Sequence, residues 1–159
     1  MKKLISVIIV IMLSAPVLFA QETLKEVVRD YQRNNSEYTF VIPGFLIKMG
    51  LAFGEMEDEE REVLEMIDDM KIVICENNFK KGDFSVLDNG IKNGTFSELM
   101  TVNDGGDKVR MIMNQKSKQK SKQKSELLMI VEGVDNENVM MLFDFHGEPD
   151  FRKFISMTD

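Results

Sequence analysis

Glu98-Leu99-Met100-Thr101-Val102, Asn103-Asp104-Gly105-Gly106-Asp107 and Lys108-Val109-Arg110-Met111-Ile112-Met113 follow one another without a break, and this stretch decides the fold. Two runs of strand-forming residues flank a cluster of turn formers, the sequence signature of a β-hairpin. In the second run Val109, Met111 and Met113 alternate with Arg110 and Ile112. A period of two of this kind predicts a strand with one fully buried face. Downstream, Leu127 to Val131 and Val139 to Phe145 form a second strand pair around Asp135-Asn136.

Upstream of the hairpin the period is helical. Leu24, Val27, Val28 and Tyr31 predict an opening helix over residues 22–33, closed by Asn34-Asn35-Ser36. Tyr38 to Ile42 reads as a short strand punctuated by Pro43-Gly44, and Phe45, Leu46, Met49, Ala52 and Phe53 then line one face of a helix ending near Gly54. The acidic run Glu55 to Glu62 suits a helix N-terminus. Val63, Leu64, Met66, Ile67 and Met70 continue that helix into a strand at residues 71–76. Phe79, Phe84, Leu87 and Ile91 predict a further helix over residues 79–92, interrupted by Gly82 and stopped near Gly94. Glu148-Pro149 opens a last helix docked by Phe151, Phe154 and Ile155, with Pro where its missing N–H costs nothing. Helices first and four consecutive strands later predict an α+β fold: an antiparallel or mixed sheet of about five to six strands packed against helices in two layers.

The N-terminus has the layout of a secretory signal. Lys2 and Lys3 precede an apolar run from Leu4 to Leu13, Ser14-Ala15-Pro16 breaks it, and Ala20 offers the small residue before a cleavage point. That run is about ten residues, half the roughly 20 that span a bilayer. Residues 1–20 are therefore expected to be a signal peptide and residues 21–159 one domain. No cysteine lies near the cleavage point, so the lipid-attachment motif of lipoproteins is missing. The expected place is the periplasm or envelope, with no stable membrane span after cleavage.

Removing Lys2 and Lys3 takes the net charge from −7 to −9. Such a chain repels nucleic acid, whose binding depends on Lys and Arg neutralising phosphate. Cys75 is the sole cysteine, which rules out an intrachain disulfide, and its place in Met70-Lys71-Ile72-Val73-Ile74-Cys75 makes it a small core hydrophobe.

The chain resembles a family of exported bacterial proteins known as domain of unknown function 4252. The resemblance rests on the signal followed by an amphipathic start and on Phe96-Ser97-Glu98-Leu99-Met100-Thr101-Val102 before a Gly-rich turn. It rests also on the closing strand Val139-Met140-Met141-Leu142-Phe143-Asp144-Phe145-His146-Gly147. It implies export and a compact α+β domain, with no activity and no site to carry over. The Lys-Ser-Lys-Gln insertion at residues 116–124 departs from the shorter connection the family leads one to expect.

Each candidate for chemistry has a simpler structural reading. His146 is the one histidine, at a strand end, so a nucleophile–base pair or a zinc site lacks partners. Met111-Ile112-Met113 and Met140-Met141 offer thioethers to Cu(I), yet Met111 and Met113 share a face with Val109 as core packing requires. The acids from Glu55 to Glu62 lack the spacing and central Gly of a calcium loop. Asp68-Asp69 and Asp144 with Glu148 would need a cleft to act as an acid–base pair. No catalytic residue, metal or cofactor is expected. Lys116, Lys118, Lys120, Lys122 and Lys124 form a repeat in a flexible hairpin loop over residues 116–125, the one candidate interaction loop.

These readings favour a non-enzymatic binding or regulatory module acting on an unknown envelope protein. A second reading is a carrier of a small apolar ligand or lipid, held between sheet and helices by Met100, Met111, Met129, Met141 and Phe143. The export reading has a direct check. Produced with its leader in a secreting host, the protein should yield Gln21 as its first residue on N-terminal sequencing; retention of Met1 contradicts it.

Overall fold

The computed structural model describes residues 23–35, 37–54, 58–115, 124–134, 138–147 and 149–150. The signal segment, Lys116 to Lys122, the turn at Asp135-Asn136 and the last helix with Phe151, Phe154 and Ile155 lie outside these residues. The described elements are α1 (Leu24–Asn34), β1 (Glu37–Pro43), α2 (Gly44–Phe53), α3 (Asp58–Glu65), β2 (Ile67–Cys75), α4 (Ser85–Lys92), β3 (Ser97–Asp104), β4 (Asp107–Gln115), β5 (Lys124–Glu132) and β6 (Asn138–His146). The six strands form one sheet in the order β1-β2-β6-β5-β4-β3, every neighbouring pair antiparallel. This is the expected α+β fold.

The β3–β4 hairpin is tighter than its sequence implies. Asp104 pairs with Asp107, so the loop is Gly105-Gly106 alone, with φ of 59° and 104°. Positive φ at both central residues matches the right-handed twist of the flanking strands, and glycine reaches it without strain. The strands therefore run longer than the apolar runs suggested. β4 also departs from the expectation of one buried face. Met111 and Met113 are buried on one side of the sheet and Ile112 on the other, because helices pack against both faces here.

On the first face, α1 contributes Leu24, Val27, Val28 and Tyr31, and α4 contributes Leu87. They pack on Val73, Cys75, Ile112, Leu128, Ile130, Met140 and Leu142. Tyr31, Phe79 and Phe84 form an aromatic triad at its edge, with ring centroids 4.8–5.9 Å apart. On the second face, α3 brings Val63 against Ile67, Met111, Met113, Leu127 and Phe145, with Ile47 and Leu64 packed beside them. Because alternate residues of a strand face opposite ways, neither cluster shares a strand position with the other.

Two helices are shorter than expected. The apolar stripe through Ile67 and Met70 does not continue α3, which ends at Glu65. Ile67 instead pairs with Phe145, Met70 with Phe143, and the Met66 carbonyl accepts from the His146 amide. A strand in mid-sheet gains two ladders of hydrogen bonds at these positions. The apolar spacing at residues 66–70 fits either element until those partners are known. The helix expected over residues 79–92 keeps only Ser85 to Lys92, because Gly82 takes φ of 109° and the Lys80 amide donates to Asp83 in a turn. The loop expected over residues 116–125 also loses its end. Lys124 and Ser125 belong to β5, paired with His146 and Phe145, and the Ser125 hydroxyl donates to the Gly147 carbonyl at 2.9 Å.

The seat of α1 is a buried carboxylate that its sequence neighbourhood does not announce. Thr23 and Glu26 form a capping box, and the next amide, that of Leu24, donates to Glu126 of β5 at 2.9 Å. Glu126 is 2% exposed. Acid at a helix N-terminus meets the partial positive charge of the helix dipole and satisfies an amide with no partner inside the helix. Lys25, one residue on, reaches Asp144 of β6 at 3.0 Å; that hydrogen bond is the main cause of its raised pKa.

Replacing Glu126 by Leu should lower unfolding free energy by about 1–3 kcal/mol, since the Leu24 amide is left buried without this acceptor. Gln at the same position, which keeps an acceptor oxygen, should cost less. Gly90→Ala should cost about 1–3 kcal/mol by overpacking, because a Cβ there meets the ring of Phe96. Chemical denaturation followed by circular dichroism measures all three.

Candidate functional site

α2 has the sequence Gly-Phe-Leu-Ile-Lys-Met-Gly-Leu-Ala-Phe, apolar on every side except at Lys48. A helix of that kind is usually buried all round. Here only one flank is. Gly44 and Leu51 are buried, and Ile47 packs on the second cluster. Gly44 is the pivot: a Cβ built on it would lie 2.5 Å from the carbonyl oxygens of both Ile67 and Asp68. No side chain fits there, so the first turn of α2 lies directly against the β2 backbone.

With the Gly44–Ile47–Leu51 flank inward, the residues at helical spacing on the other side must face out. These are Phe45, Leu46, Met49, Ala52 and Phe53, the face recognised in the sequence as apolar. All five are exposed, Phe45 at 66% and Phe53 at 87%. The stripe exists as expected and points to solvent. β1 leads into α2 without a loop, and it adds to the exposed apolar surface. Tyr38 and Phe40, opposite Ile74 and Ile72 on the second face, are 61% and 54% exposed. An aromatic side chain offers roughly 150–250 Å², so these four rings expose on the order of 500 Å², as much as the largest apolar patch of a typical monomer. Residues 38–54 carry one charge, Lys48, in a chain where 30% of residues are charged.

Beside the stripe, α2 and α3 border an open cleft of about 540 Å³, lined by Lys48, Leu51, Arg61, Glu62, Met66 and His146 among others. His146 holds Asp68 through Nδ1 at 2.9 Å. This ties the end of β6 to the start of β2 and occupies one of the two acids considered as a pair; Asp144 is engaged by Lys25. Among the described residues, no three His, Cys, Asp or Glu side chains converge to hold a metal ion. Met111 and Met113 lie inside the second cluster, Met140 inside the first, and Met141 on the face opposite Met140. Of the residues nominated for a ligand cavity, Met111 is buried, and Met100, Met129 and Phe143 pack against its cluster. None of them lines this cleft or a second open cleft beside α1.

At the far side of the sheet, Arg110 bridges Glu98 at 2.9 Å and Asp88 at 3.0 Å, fastening β3 to α4. Glu98 is held below the usual carboxylate range, first by a hydrogen bond from Thr101 and then by Arg110. Of the proposed interaction loop, Lys124 is an exposed first residue of β5, and the other four lysines lie outside the described residues.

An antiparallel sheet with helices on both faces and an unpaired apolar helix stripe defines the protein as an α+β domain. The family model described as Domain of unknown function (DUF4252) matches residues 31–152, and the chain belongs to that family. No curated protein and no solved structure matches it. No described helix is long and apolar enough to cross a membrane.

Proposed function

We propose that this is an exported, non-enzymatic binding module that engages another protein of the cell envelope through the outward stripe of α2. The observation that carries the reading is the exposure of Phe45, Leu46, Met49 and Phe53 on one helix flank. Burying a Phe or Leu side chain stabilises a protein by roughly 1.5–3 kcal/mol. Leaving four such residues in water forgoes a sizeable part of a domain's stability, which a partner recovers on binding. Large apolar side chains left exposed together on one helix flank mark interaction sites. A convex helix bearing anchors at i, i+4 and i+8 suits an apolar groove on the partner. The net charge, −7 for the full chain and −9 without Lys2 and Lys3, turns nucleic acid and anionic lipid away. Export rests on the leader from Lys2 to Ala20.

Photo-crosslinking in the producing cell tests the assignment. A photoreactive residue in place of Phe53 or Met49 should give one recurrent adduct of defined mass, and the same residue in place of Lys92 on α4 should not. Deleting residues 117–123 should leave the adduct unchanged, and Phe45→Ser should weaken it without lowering thermal stability. Absence of an adduct at both α2 positions, or the same adducts at Lys92, contradicts the proposal.

A further inference from the structure

The two edges of the sheet are built differently. β3, at one edge, slips register between Glu98 and Met100, carries Glu98 and Asp104, and is otherwise rich in Ser, Thr and Asn. Bulges and charges are how soluble proteins keep an edge from pairing with another chain. β1, at the other edge, has no bulge, and its one charge, Glu37, stands at its first residue. Its seven-residue register with β2 is unbroken, and Tyr38 to Ile42 carries no charge. Among the described residues no strand pairs with its outer side, and Tyr38, Phe40 and Val41 are exposed.

We propose that β1 pairs with β1 of a second copy, joining two six-stranded sheets edge to edge about a two-fold axis at Phe40. The sequence of the strand is self-complementary in that register. Antiparallel pairing centred on Phe40 sets Phe40 against its own copy, Tyr38 against Ile42, Thr39 against Val41 and Glu37 against Pro43. Directly opposed residues share a face, so Phe40 meets Phe40 and Tyr38 meets Ile42 on the second face, the aromatic and β-branched combinations that stabilise cross-strand pairs. Glu37, the charged residue of the strand, is spared its own copy, and Pro43, which has no N–H to donate, falls at the end of the ladder. Such an interface is isologous and closes at two copies.

Charge favours a second copy of this acidic chain meeting here rather than elsewhere. Residues 38–54 hold one charge, a lysine, so two bodies of net charge −9 after loss of the leader approach along a strip without carboxylates. The pairing uses the edge of β1 and leaves the outward flank of α2 free, so it stands or falls independently of the envelope partner proposed above.

Sedimentation velocity on the protein purified from a secreting host tests the pairing, together with two single substitutions. The wild type should sediment as a dimer. Phe40→Lys should sediment as a monomer with an unchanged circular dichroism spectrum, while Lys92→Glu should remain a dimer. Phe40→Cys should give an interchain disulfide dimer under mild oxidation, because the two-fold axis places that position beside itself; Thr101→Cys on β3 should not. This second variant decides the matter if Phe40→Lys fails to fold. A wild type that stays monomeric at every soluble concentration overturns the proposal. So does a dimer that survives Phe40→Lys, or a dimer in which Phe40→Cys forms no interchain disulfide. A monomer that gains mass only with a foreign β-strand peptide would likewise assign the edge to another partner.

Discussion

The contact between Gly44 and the β2 backbone sets how the rest of the molecule presents itself. Two carbonyl oxygens stand where a Cβ would be, so this turn of α2 can approach the sheet only through a glycine. Once it does, the helix phase is fixed. Ile47 and Leu51 complete the inward flank, and the stripe of Phe45, Met49 and Phe53 has nowhere to go but outward. Rotating the helix to bury that stripe would drive a side chain into the Ile67 and Asp68 carbonyls. The apolar exposure is thus a consequence of close backbone packing, and the proposed binding role follows from it.

The remainder of the sheet is arranged to make that exposure tolerable. The first face is closed by α1 and α4 over a continuous apolar cluster, and α1 is held at its start by Glu126 and Lys25 reaching into β5 and β6. The Arg110 bridges secure the β3 edge. Each face of the sheet carries a buried apolar cluster, while among the described residues β1 and α2 carry the exposed aromatic side chains.

Much of this was legible in the sequence, and what was not has a common cause. The spacing of Leu24, Val27, Val28 and Tyr31 located α1 because one helix face sufficed to define it. Asn103 to Asp107 located the hairpin because turn chemistry is local. The boundary between α3 and β2 was misplaced because Ile67 and Met70 fit a helical stripe as well as a strand, and their partners Phe145 and Phe143 lie some 75 residues away in the chain. Glu126 could not be recognised as the seat of α1 for the same reason. For α2, sequence reading found the right stripe and could not say which way it faced. Ile47 and Leu51 are as apolar as Phe45 and Met49, and only the Gly44 contact separates them. The lysine repeat at residues 116–124 stands out by composition, whereas residues 38–54, which carry the exposed apolar surface, hold one charge in seventeen residues.

Cysteine accessibility in the native protein tests the orientation of α2 most directly. Phe53→Cys and Leu51→Cys are two positions apart on the helix and on opposite flanks. With Phe53→Cys, a maleimide probe should react as fast as with an unfolded thiol. With Leu51→Cys, labelling should wait for unfolding. Protection of Phe53→Cys together with ready labelling of Leu51→Cys would mean that α2 docks by its phenylalanine stripe, and the account would be wrong.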